Sequence, residues 1–251
     1  MASLVTLTIF LPIATGILPV IIWLWFWLKE DREHPEPKRL IAKTFFFGMI
    51  AVFVALALEY LFHLFMKKSA ISISEKNLLF ILSLAFIEET VKYFSARPAL
   101  KSKNFDEPVD AIMYLIIAGL GFAAMENIFF LANAFKDGGM AIGFLTSDMR
   151  FLGANLLHSV TSAIIGVSIA LSYYKRKTIK ITYMAAGVIL ATLLHAIFNF
   201  YIIRLSESGE SNLNVFLGLW ICTIIIIMTF EKVKRIKINK KTYEKKQTII
   251  F

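Results

Sequence analysis

Cysteine is almost missing from this chain. Cys222 is the single one among 251 residues and lies in an apolar run, so no intrachain disulfide can form and redox compartment is unreadable. Low-complexity repeats and collagen-like periodicity are also absent, and apolar residues abound, which excludes disordered and fibrous classes. Acidic residues are few: 18 Asp and Glu against 27 Lys and Arg, for a formal charge of +9. No His-Glu-x-x-His segment occurs, and no two histidines stand four residues apart, so the local zinc-protease motif is missing. The first apolar run has neither a basic leader nor a small-residue cleavage site, and it outlasts a signal-peptide core. It is read as a retained span.

What the chain has in excess is hydrocarbon. Hydrophobic residues make up 58% of it, against roughly 45–50% in an ordinary soluble domain. That content and a charge of +9 are compatible only if greasy and charged residues are segregated along the chain, and they are. The expected fold is therefore all-α: a polytopic transmembrane bundle in the cell membrane with about seven spans, near 4–28, 40–65, 77–96, 109–135, 148–174, 178–203 and 212–230. Pro12, Gly16 and Pro19 should kink the first. Residues 1–230 form one integral-membrane unit without detectable repeats, and 231–251 a basic tail.

Orientation follows from Lys and Arg in the short connections. With the N-terminus outside, 20 fall on the inner side and 6 on the outer, which predicts N-terminus out and C-terminus in. The basic tail is expected to attract anionic lipid headgroups rather than nucleic acid, at roughly 1 kcal/mol per basic residue near the surface.

The informative charges lie inside the spans, where each costs at least ~2.5–3.5 kcal/mol and is a functional hypothesis by default. Glu88, Glu89 and Lys92 occupy the third span, Glu126 the fourth, His158 the fifth and His195 the sixth. At ~1.5 Å per residue, Glu88, Glu126, His158 and His195 all fall about 12–16 Å from the outer ends of their spans, although the spans alternate in direction. One level implies one site. Glu59 and His63 lie nearer the outer surface and are left out as a local pair. Asp110 is 16 residues from Glu126, ~24 Å along an axis, and is expected only to cap its helix.

Local spacing refines the picture. Glu88 and Lys92 are i, i+4 and suited to an ion pair, while Glu89 points about 100° away from Glu88. His195 and Asn199 share a stripe, and Gly119, Ala123 and Asn127 form a small-residue face for close helix approach. A desolvated carboxylate can act as general base toward water. Imidazole N–H groups and an Asn amide can stabilise an oxyanion, and a second carboxylate can orient a histidine or return a proton. Such a set hydrolyses amide bonds without a nucleophilic Ser or Cys. A proton relay in a transporter would use the same groups, as would a scaffold that keeps them for packing. No cofactor is expected, although Glu88, Glu126, His158 and His195 are competent zinc ligands if gathered from four helices.

Four ordered motifs carry a family resemblance. Glu88-Glu89-x-x-Lys92, Gly121-Phe122-Ala123-x-x-Glu126-Asn127, His158 with Gly166, and His195-Ala-x-Phe-Asn199, over about residues 80–200, resemble the PrsW family of glutamic-type intramembrane proteases. The segment Phe105–Ala111 and Tyr114 look like that family's lead into its second motif. CAAX prenyl endopeptidases are distantly similar through the paired glutamates and remain an alternative. The resemblance implies endoproteolysis of a membrane-anchored substrate of the anti-sigma-factor kind. It also implies Glu88, Glu89, Glu126, His158 and His195 as catalytic residues, to which the spacing adds Asn199, with Lys92 and Asn127 in support.

Overall fold

A run of some twenty apolar residues in apolar surroundings must satisfy its own backbone, and only the helix does so within one segment. The computed structural model describes residues 2–32, 35–69, 74 and 77–236, and every regular element among them is helical. In chain order these are α1 (Ala2–Glu30), α2 (Lys38–Lys68), α3 (Leu78–Leu100), α4 (Pro108–Leu152), α5 (Ala154–Leu171), α6 (Lys177–Ser208) and α7 (Leu213–Lys234). Phe10–Glu30, Lys38–Lys68, Pro108–Leu171, Lys177–Ser208 and Leu213–Lys234 are long and apolar enough to cross a membrane. α3, carrying Glu88, Glu89 and Lys92, is not among these five. The chain is an all-α, multi-pass membrane protein.

The bundle is built around α4. Every residue from Pro108 to Ala124 is buried, as expected for a helix apolar on all sides. α1, α2, α3, α5 and α7 all contact α4, and α6 closes the ring against α5 and α3. The outward faces of α2 and α7 expose Phe53, Val54, Leu58 and Leu61, and Ile221, Ile224, Ile225 and Met228, side chains that only lipid would cover without cost.

α2 and α4 approach backbone to backbone. A Cβ added to Gly48 would lie 2.1 Å from the Ala118 carbonyl oxygen, and one added to Gly121 would lie 2.0 Å from that of Phe45. Two glycines, one on each helix, fix this crossing.

α4 also begins as expected. Asp110 accepts from the backbone N–H groups of Asp106 (3.0 Å) and Glu107 (2.8 Å), closing a capping box with Pro108 in the first turn. Beside it the Tyr114 hydroxyl donates to the buried carboxylate of Glu36, tying the segment before α2 to the foot of α4.

α4 departs from expectation at its other end. Spans ending at 135 and starting at 148 imply a connection that includes Lys136-Asp137-Gly138-Gly139. Helix instead runs on through this stretch, breaks at Gly139, where φ is 71° and ψ −169°, and resumes to Leu152. The two limbs fold together as a hairpin. Phe135 meets Phe144 at 5.4 Å between ring centres, and Gly143 abuts Phe135, so that a Cβ there would lie 2.1 Å from the ring. Residues 148–152, expected in the fifth span, belong to this returning limb, and α5 begins only after Gly153. α7 likewise continues to Lys234, past the expected domain boundary at 230. Most of the basic tail, 237–251, lies outside the described residues.

Candidate active site

Four helices bring their ionisable residues to one point. The buried Lys92 ammonium on α3 is its centre, 2.7 Å from Glu89 Oε1, 2.7 Å from His158 Nδ1 and 3.8 Å from Glu88 Oε2. It also lies 4.8 Å from the centre of the Phe122 ring on α4. The tighter ion pair is thus with Glu89 at i, i+3, not with Glu88 at i, i+4. Glu89 Oε1 lies 2.7 Å from His195 Nδ1 as well, so Glu88 and Glu89 both serve the Lys92–His195 pair despite their different bearings. His158 Nε2 lies 3.0 Å from Glu126 Oε2, and the two imidazole rings meet edge to face at 5.4 Å.

Donor and acceptor complementarity assigns the imidazole protons. An ammonium only donates, so His158 Nδ1 accepts from Lys92 and carries the lone pair. Its proton is then on Nε2, donated to Glu126. At His195, Nδ1 donates to Glu89, which leaves the Nε2 lone pair facing Glu88 Oε2 at 3.8 Å. Both ring N–H groups are therefore engaged by carboxylates and are not open to a substrate oxyanion as the residue types alone suggested. Glu88 and Glu89 differ in kind. Glu89 is wholly buried and tied through Oε1 to two partners, whereas Glu88 is 12% exposed; Oε2 of each is a buried atom that accepts no hydrogen bond from any described residue.

Asn127 is a hub in the wall of the site. Its amide donates to Asn155 Oδ1 (2.7 Å) and to the Gly16 carbonyl (3.3 Å), joining α4 to α5 and α1. The close approach of α5 rests on Gly119, where a Cβ would lie 2.2 Å from Ser162 Oγ and 2.8 Å from the His158 carbonyl oxygen. Asn199 stands one turn beyond His195 on α6 but makes no hydrogen bond with the other site residues. Two further charged residues bear on the site, one unseen in the sequence and one set aside there. Arg150, on the returning limb of α4, donates from Nε to Asn127 Oδ1 at 2.6 Å, pairs through Nη2 with Glu126, and stacks 4.2 Å from the centre of Phe130. Glu59 on α2, left out as a local pair with His63, lies near enough to Glu126, His195 and Lys92 to feel their charges. Arg150 was invisible because its contact depends on the hairpin at Gly139. Glu59 had a usable signal: it is a carboxylate inside a span.

The family model for the PrsW family intramembrane metalloproteases matches residues 36–229. The chain belongs to the PrsW family. It is 26% identical over 196 residues to Protease PrsW of Bacillus subtilis (strain 168), covering 78% of this chain and 84% of that one. It is 28% identical over 209 residues to Protease PrsW of Geobacillus kaustophilus (strain HTA426), covering 83% and 87%. Against Protease PrsW of Clostridioides difficile (strain 630) it is 28% identical over 191 residues, covering 74% and 76%. No solved structure matches. The chain is thus a membrane protease of the PrsW family acting on a protein substrate.

The family description speaks of a metal, and the donor set can be tested for one. Glu88, His158 and His195 each place a donor atom within 4.8 Å of the others. Proximity is right, but the protons are wrong. With Lys92 donating to His158 Nδ1 and His158 Nε2–H donating to Glu126, only Glu88 and His195 of this trio offer a lone pair. Two protein ligands fall short of the three that catalytic zinc sites use. As its neighbours hold it, the trio does not fit a divalent cation.

Proposed function

We propose that the chain hydrolyses a peptide bond of a membrane-anchored protein, with Glu88 as the general base toward water. The observation that carries this reading is the Glu88 Oε2–His195 Nε2 pair. These are two acceptors 3.8 Å apart, on His195 and on the α3 carboxylate that is not wholly buried; neither accepts a hydrogen bond from a described residue, and Oε2 itself lies inside the site. One water can donate to both at ordinary lengths of about 2.8 Å, which holds its oxygen lone pair away from them and toward a substrate carbonyl.

On attack, the water oxygen bonds to the carbonyl carbon and its proton passes to Glu88. When the C–N bond breaks, Glu88 returns that proton to the leaving amine. Glu89 holds His195 in the tautomer that leaves Nε2 free, and Glu126 does the corresponding work for His158. Asn199 and the guanidinium of Arg150 are the donors left for the developing oxyanion. The anti-sigma-factor class of substrate and the outward-facing N-terminus come from the sequence reading and belong to this proposal.

The test is cleavage of a single-pass membrane protein by the reconstituted enzyme. Loss of turnover in Glu88→Gln with retained folding supports the assignment. Undiminished cleavage overturns it.

A further inference from the structure

We propose that the Lys92 ammonium holds the place of a metal ion in this site, and that removing it creates a divalent-cation site from Glu88, Glu89 and His158. The argument starts from what surrounds Nζ. Its neighbours are two carboxylate oxygens, at 2.7 and 3.8 Å, an imidazole nitrogen lone pair at 2.7 Å, and the face of Phe122. Oxygen and imidazole nitrogen are the donor types of a zinc or cobalt site. The stem of Lys92 enters from α3. Lys92 is fully buried, so its charge is not dispersed into water.

Charge balance points the same way. Glu88 and Glu89 contribute two negative charges beside one ammonium. A second cation at this point would sit against the first, with no lone pair available at His158. With the ammonium gone, the same two carboxylates and a freed Nδ1 face a vacated position, and a divalent ion restores neutrality. Glu89 Oε1 and His158 Nδ1, at 2.7 Å from Nζ, would close by about 0.6 Å to the ~2.0–2.2 Å of zinc ligation, and Glu88 Oε2, at 3.8 Å, would swing in by about 1.7 Å.

The cation of this site is then supplied by its own chain, and metal binding tests that separately from proteolysis. Purified full-length wild type and Lys92→Met, each stripped with chelator and dialysed, are titrated with Co²⁺ alone and then with Zn²⁺. The visible absorption of tetrahedral Co²⁺ and the retained metal content are read. Wild type is expected to retain well under one equivalent and to keep its thermal midpoint through chelation. Lys92→Met is expected to gain the absorption, retain about one equivalent, and lose both when His158→Ala is added. Recovery of folded Lys92→Met only with Zn²⁺ present counts equally in favour.

Stoichiometric Co²⁺ in wild type, abolished by His158→Ala, overturns the inference whether or not Lys92→Met folds. So does a folded Lys92→Met that takes up no metal. A wild type that binds no metal and cleaves no membrane protein would remove the proteolytic reading and leave this one standing.

Discussion

Arg150 and Glu126 are 24 residues apart on one helix, and yet they form an ion pair. On a straight helix that separation would put them ~36 Å apart. The break at Gly139 reverses the chain and delivers the guanidinium to the carboxylate that orients His158.

Arg150→Gln should lower turnover on the order of a hundredfold, the effect of a reacting group shifted by about 1 Å. Arg150→Lys should recover only part of it, because an ammonium keeps the charge but cannot hold Glu126 and Asn127 together in one planar fork. Cleavage in proteoliposomes measures both. Full activity in Arg150→Gln would make the pair purely structural.

Glu88 and Glu89 should separate in a stability measurement. Glu89→Ala leaves the Lys92 ammonium buried without its closest anion, a loss of about 3–5 kcal/mol. Glu88→Ala removes no hydrogen bond at Oε2 and should cost about 1 kcal/mol, while still abolishing turnover. Thermal unfolding in detergent decides the first comparison. Equal destabilisation by the two would contradict the division of labour.

The α2–α4 crossing makes a steric prediction. Gly48→Ala and Gly121→Ala each press a methyl against a backbone carbonyl that no rotamer change can move, and each should destabilise by about 1–3 kcal/mol or more. Gly218→Ala on α7, with nothing within 4 Å of the new methyl, should be neutral or slightly stabilising. Comparing the three midpoints checks this.

Glu36, in the segment between α1 and α2, gives the pH dependence. Burial pushes its carboxyl up from the usual 4.5, against the lowering effect of the Tyr114 bond. The folded protein therefore binds this proton more tightly than the unfolded chain. The ionised carboxylate is a cost above the raised value, and that cost is relieved as pH falls through it. Glu36→Gln keeps an acceptor for Tyr114 without the charge. It should be more stable than wild type near neutral pH, with the difference shrinking on acidification. A difference that grows toward acid would count against it.

Much of this was readable in the residues. Apolar runs gave the helices because the backbone has no other partner in lipid, and the structure brings together Glu88, Glu126, His158 and His195, which the sequence put at one level. The count for His158 nevertheless crossed two helices, since α5 begins at Ala154 and not at 148. What resisted sequence reading depended on chain reversal. Lys136-Asp137-Gly138-Gly139 looks like a surface connection by composition, and nothing local says that helix continues on both sides of it. The tautomers were hidden for a different reason. The proton on each imidazole is set by Lys92 and the glutamates, neighbours on other helices.

The hairpin at Gly139 has an electrical meaning. The cluster holds three carboxylates, Glu88, Glu89 and Glu126, and two cations, and one of those cations is carried in on the returning limb. Parting that limb from the bundle would separate Arg150 from Glu126 where water screens them only in part, so moving the limb and stripping the cluster of a cation are one event. The hairpin is thus held in place by the charge it carries in.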